Sequence, residues 1–237
     1  MVQTSIYTDG TYLKLTQGEW GRANAPAKAS WVLRMLKMHP EVRVTTICEV
    51  GCGVGAILHE LQRNLPSSEF RGYEISPQAY ELSLELANGS CQFTCGAASC
   101  DDDKFDLVLA LDVAEHVEDC FAFLRQTRDK GLFQIYHIPI EAHVSAIMRG
   151  TNAWDKVGHI HLFTFETAIK TLQHTGHRII DSFITDGILK SPYRTLKSRI
   201  ANVARAPLGT VNKKLAARLL GGYSLLVLTE AENSAKA

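Results

Sequence analysis

Apolar and polar positions follow two rhythms along the chain. Short apolar runs recur as TICEV at 46–50, FRGYE at 70–74, CQFTC at 91–95, FDLVLAL at 105–111, GLFQIYHI at 131–138, HRIIDSFI at 177–184 and YSLLVLTE at 223–230. Runs of this length, bounded by turn residues, predict strands, the more continuous of them buried on both faces. Between them the apolar spacing turns helical, at 54–64, 77–87, 118–126 and 165–175. A further helix covers 25–38 and closes at His39-Pro40. Pro77 suits a first helical position, Thr164 an N-cap and Gly176 the residue after a helix end.

Strand–helix alternation predicts one mostly parallel sheet with helices on both faces. Such sheets bind ligands outside the carboxyl ends of their strands. The glycine loop at 51–55, Glu74, Asp112 and His137 all end or follow predicted strands, so they are expected to share one rim.

Composition narrows the class. The 237 residues are 46% apolar, enough for one sizeable domain with a full core. The formal net charge is zero, so no global field draws in nucleic acid or membrane. No apolar run approaches the roughly 20 residues of a membrane span, and the first residues, MVQTSIYTDG, are polar. Six cysteines without paired C-x-x-C spacing read as free thiols in a reducing, cytoplasmic setting, with no metal expected.

One stretch stands apart. From Gly187 to Thr229 there are eight Lys or Arg and no acid. Two helices are expected there, at 193–204 and 210–220, within a basic insertion at about 187–222. It reads as a solvated helical face, or as a patch for an anionic partner. No aromatic-rich basic motif accompanies it, which argues against RNA. The remaining division sets a helical lid segment at 1–40 against one domain at 41–237, and leaves a homodimer open.

The loop EVGCGVGA fits two cofactor templates. It satisfies G-x-G-x-x-G/A, with Glu74 placed 23 residues after Gly51 to grip a ribose, which makes an NAD-binding oxidoreductase one reading. However, Glu49 on the preceding strand is unwelcome beside an anionic pyrophosphate. It suits S-adenosylmethionine (SAM), which brings an ammonium and a sulfonium. The later strand also ends in acids, in LALDVAEHVED.

EVGCGVG, GYEIS, FDLVLALDVAEHV and GHIHLFTFETAIKTLQHTGH, in that order, resemble the class I SAM-dependent methyltransferases, in particular small-molecule enzymes with an E-H-V motif after strand four. The resemblance spans about residues 44–185. It implies a Rossmann-like, seven-stranded, mostly parallel sheet whose last strand is antiparallel. It also implies methyl transfer to an oxygen or nitrogen of a small molecule in specialised metabolism, the acceptor being compatible with an anion. By the same resemblance Glu49, Gly51, Cys52, Gly53 and Gly55 line the methionine and ribose end, and Glu74 accepts from the ribose hydroxyls. Ile75 flanks the adenine, and Asp112 and Val113 lie beside the methionine. A SAM-binding protein without catalysis is the third reading.

Candidates for handling the acceptor are less sharply marked. His159, His137 and His116 are the histidines expected near the rim, and a neutral imidazole can take a proton near pH 7. Tyr7, Tyr12 and Trp20 are expected to close over the substrate, and Trp154 to line its pocket.

Overall fold

The computed structural model describes residues 19–100, 102–148, 158–186 and 207–232, with side chains from Gly21 onward. Helix α1 (Glu19–Met38) leads into β1 (Thr46–Val50), α2 (Ala56–Asn64), β2 (Glu69–Glu74), α3 (Pro77–Ser83), β3 (Cys91–Cys95) and β4 (Phe105–Leu111). Then come α4 (Cys120–Lys130), β5 (Gly131–Ile140), α5 (Val144–Ile147), α6 (Phe165–His174), β6 (His177–Thr185), α7 (Lys213–Leu220) and β7 (Tyr223–Ala231).

The strands form one seven-stranded sheet in the order β3-β2-β1-β4-β5-β7-β6. The pairs among β1 to β5 are parallel, and β7 runs antiparallel to both β5 and β6. This is the expected Rossmann-like arrangement. Strand periodicity explains its two cores. Leu107 and Leu109 of β4 and Leu226 and Leu228 of β7 face α1 and α2, meeting Ala29, Val32, Met35, Leu58 and Leu61. The intervening Ala110, Leu225 and Val227 face α4 and α6, meeting Leu124, Ala168 and Leu172.

Element boundaries move where local chemistry acts. α1 begins at Glu19, ahead of the expected 25, with Pro26 inside it. Proline there forfeits only the bond to the Arg22 carbonyl, and buried Ala25 and Ala29 hold the turn. α2 begins at Ala56 because Gly55 takes a left-handed conformation (φ 75°). α4 starts at Cys120, since the Asp119 side chain caps it by accepting from the Ala122 N–H. β5 continues through Pro139 to Ile140, paired with Ser224 and Tyr223 of β7.

Of the basic insertion, α7 confirms the later expected helix in shortened form, whereas 187–206 lies outside the described residues. Tyr7, Tyr12 and Trp154 lie outside them as well, and Trp20 falls within α1 without a described side chain.

Candidate active site

The loop after β1 is shaped by glycine for two separate reasons. Gly51, Gly53 and Gly55 all adopt positive φ (72°, 56° and 75°), which side chains resist. At Gly55 there is also no room: a Cβ would come within 2.5 Å of the Phe93 ring. At Gly53 a Cβ would meet nothing within 4 Å, so this backbone borders open space. The Gly51 backbone sits against Val113, whose methyl would lie 2.8 Å from a Cβ there.

Glu74, at the end of β2, clasps this loop. One oxygen accepts from the Gly53 N–H and the other from the Ser76 N–H, each at 2.8 Å. Burial raises the Glu74 carboxyl above its ordinary range, and these backbone bonds oppose the rise. Cys52 is buried, and desolvation keeps its thiol protonated. Ile75 is exposed at 42%, an apolar surface beside Glu74.

Glu49 is 1% exposed, and its Oε2 finds no hydrogen-bond donor among the described residues. Burial pushes its carboxyl to about 8, with Lys28 opposing and Glu74 adding to the shift. Lys28 of α1 reaches Asp112 (2.8 Å) across the rim. Asp112 is the one described non-glycine residue with positive φ (61°), a strain characteristic of ligand sites. Desolvation works against its charge, yet His137 and Lys28 hold its carboxyl well below the usual range.

The three histidines part company. His137 is 3% exposed. Its Nδ1 donates to Asp112 (2.5 Å), its Nε2 meets the Thr185 hydroxyl (2.9 Å), and its ring stacks on Trp31 at 5.2 Å. It therefore braces Asp112 and presents no spare nitrogen to a substrate. His116 and His159 pack edge to face with ring centroids 4.6 Å apart. His116 Nδ1 donates to the Gly158 carbonyl (3.0 Å), and His159 Nδ1 donates to Glu141 (2.5 Å). Burial, then the neighbouring His159, lowers the His116 imidazole to about 4. Beside them Glu115 is 1% exposed with neither carboxylate oxygen partnered among the described residues. Burial, and then Asp112, push that carboxyl well up.

The loop carrying His159 is tied to the turn after β4. The Ile160 and His161 N–H groups both donate to the Glu115 carbonyl (2.9 and 3.1 Å), and His161 Nε2 meets the Val117 carbonyl (2.8 Å). The structure thus brings Glu49, Glu74, Asp112, Val113, His116 and His159 together at one end of the sheet.

Sequence reading missed Lys28, Trp31 and Glu141. Lys28 left one signal, a cation set among the small residues Ala25, Ala27 and Ala29 of α1. Glu141 left another, an acid directly after a strand.

The sheet order is that of the class I SAM-dependent methyltransferase fold. Residues 48–130 match the family model described as a methyltransferase domain. Solved structures share the whole architecture at low identity. Magnesium protoporphyrin IX methyltransferase from Synechocystis, solved with bound SAH and also with SAM, is 15% identical. With SAH its TM-score is 0.63, covering 97% of this chain and 98% of that one. A Haloferax volcanii protein in complex with the Trm112 methyltransferase activator matches with a TM-score of 0.65 and 13% identity over 100% of each chain. The cyclase SpnF matches with a TM-score of 0.58 and 16% identity, covering 84% of this chain and 82% of that one. No curated protein matches the sequence.

Proposed function

We propose that the protein transfers the methyl group of SAM to an oxygen or nitrogen of a small-molecule acceptor. The observation that carries this is the pairing of an open glycine backbone at Gly53 with a buried acid at Glu49 whose Oε2 has no donor among the described residues. An ammonium satisfies that acid by favouring its ionised form, whereas a pyrophosphate brings it no cation. In this reading Glu49 takes the ammonium of SAM and Lys28 its carboxylate. Glu74 uses its remaining lone pairs on the ribose hydroxyls, and Ile75 covers the adenine. Asp112, braced by His137, and Val113 shape the methionine end.

The chemical step is a direct displacement. The acceptor lone pair forms the bond to the methyl carbon as the carbon–sulfur bond breaks. The bonding pair returns to sulfur, giving neutral S-adenosylhomocysteine (SAH). The protein's task is mainly alignment. Of the histidines, His159 is the one arranged to receive the acceptor's proton, since Glu141 fixes its Nδ1–H and directs Nε2 to the acceptor. To the acceptor this reading also assigns Tyr7, Tyr12, Trp20 and Trp154, whose side chains lie outside the described residues.

The dinucleotide reading retains one sequence feature, a Tyr-x-x-x-Lys spacing at Tyr193 and Lys197, outside the described residues. The likeness to a cyclase keeps the reading of SAM binding without methyl transfer in view. Parallel calorimetric titrations with SAM, SAH and NADH separate the readings. Micromolar binding of both adenosyl ligands and none of NADH is expected. Binding of NADH alone would overturn the proposal.

A further inference from the structure

We propose that His137, Trp31 and Thr185 are positioning residues for the cofactor, acting through Asp112 and Val113 on the glycine loop. This role rests on the SAM reading above and deepens it. Its root is the main chain at Asp112, held at φ 61°. A residue with a Cβ pays for that conformation and keeps it only where its surroundings over-determine it. Two elements do so here. His137 of β5 grips residue 112 twice: its carbonyl accepts from the Asp112 N–H (2.9 Å), and its Nδ1 donates to Asp112 Oδ1 (2.5 Å). Lys28 of α1 holds the other oxygen, Oδ2, at 2.8 Å. Together these bonds fix the carboxylate and the peptide behind it.

The His137 ring is itself aimed from two sides. Trp31 of α1 stacks on its face, with centroids 5.2 Å and planes 17° apart. At its far nitrogen, Nε2 meets the Thr185 hydroxyl of β6 at 2.9 Å, and that hydroxyl lies 3.3 Å from the Ser224 carbonyl oxygen of β7. The helix carrying Trp31 is anchored in turn, since Arg34 sits over the Phe183 ring of β6 (4.6 Å). An imidazole stacked on one face and held at Nε2 has one orientation, and it points Nδ1 at Asp112.

The effect reaches the glycine loop through the next residue. A Val113 methyl lies 2.8 Å from where a Cβ at Gly51 would stand. On its other side the loop is tied to β2, because the Gly51 and Cys52 N–H groups both donate to the Tyr73 carbonyl (2.8 and 3.1 Å). A change of φ at residue 112 therefore moves Val113 against or away from the Gly51 backbone. In the SAM reading this loop and Asp112 carry the methionine end. The aim of one imidazole, set by α1 and β6, is thereby converted into affinity for the cofactor.

The test is calorimetric titration of the full chain with SAM, in variants that separate position from packing. Asn places its amide nitrogen where the imidazole carries Nδ1, and Gln places it where the ring carries Nε2. His137→Asn therefore keeps the donor to Asp112 and gives up Thr185, whereas His137→Gln does the reverse. Asn also leaves the larger cavity, so a merely structural role ranks His137→Asn as the worse of the two. The positioning role ranks it as the better. Expected are a SAM affinity within about threefold of wild type for His137→Asn and a loss of at least about tenfold for His137→Gln, the size of one charge-assisted bond. Trp31→Phe keeps a stacking ring and should bind within about twofold of wild type, while Trp31→Leu should lose about three- to tenfold. Trp31 is partly buried, so this second pair keeps the test decisive if the His137 variants fail to fold. Equal affinities across the variants, or His137→Asn the weaker of its pair, would overturn the positioning role and leave the SAM reading standing. A wild type that binds no SAM would overturn the SAM reading and the positioning role with it.

Discussion

Two groups of buried polar residues lie on either side of β5, and they are built in opposite ways. Beneath α4 and α6, the Tyr136 hydroxyl donates to His177 Nε2 (2.7 Å) and meets Thr127 Oγ1 (2.8 Å). Thr127 Oγ1 is the donor to the Tyr136 oxygen, and His177 Nδ1 donates to the Leu172 carbonyl (3.0 Å). Every member has a partner. At the rim, Glu49 and Glu115 are equally buried, but three of their oxygens have no hydrogen-bond partner among the described residues. A satisfied network holds a fold together. An unsatisfied one is tolerated where a ligand completes it. Burial alone therefore does not mark a functional group; burial without partners does.

Acid should break the first group. Burial lowers the His177 imidazole to about 4 from 6.5. Because the folded value lies below the unfolded one, the unfolded chain binds more protons between them. The stability from neutral His177 is complete above about pH 6.5 and is lost as pH falls toward 4, by about 3 kcal/mol. Melting temperature against pH should therefore flatten over that window in His177→Gln. An unchanged slope would remove His177 from the acid response.

Binding should respond to the rim. Glu74→Ala is expected to weaken SAM binding by about 1–3 kcal/mol through loss of charge-assisted bonds. Calorimetry on the folded variant checks this, and unchanged affinity would end the ribose assignment. Tyr136→Phe should cost about 1–2 kcal/mol of stability, because His177 Nε2 and Thr127 lose a partner. Its SAM affinity should stay put, as seen by denaturant titration beside calorimetry. The smallest effect is expected for Glu115→Gln, within about 0.5 kcal/mol of wild-type stability or above it, since a buried carboxyl already held protonated is replaced by a neutral group of the same shape. A loss as large as that of Tyr136→Phe would mean that Glu115 has a structural partner and would erase the contrast.

Much of this was legible in the sequence, and the rest was not, for physical reasons. Glycine spacing, Glu49, Glu74 and Asp112 are readable because strand ends fix their place by local pattern alone. The mostly parallel sheet followed from strand–helix alternation, and the final antiparallel strand from family resemblance. His137 misled because it stands near a strand end, yet β5 runs on to Ile140 and its pairing with β7 turns that imidazole toward Thr185. Lys28 became a site residue only because α1 packs across the rim. The meeting of His116 with His159 depends on backbone bonds between two loops, for which no local spacing exists.

The account turns on Glu49 being an acid kept neutral until a cation arrives. SAM should ionise it, because the ammonium favours the charged carboxylate. Calorimetry of SAM binding at pH 6.5, in buffers of different ionisation enthalpy, counts the protons exchanged. With the Glu49 carboxyl at about 8 in the free protein, release of roughly one proton is expected, and it should vanish in Glu49→Gln. Binding with no proton release, or with the same release in the variant, would contradict the account.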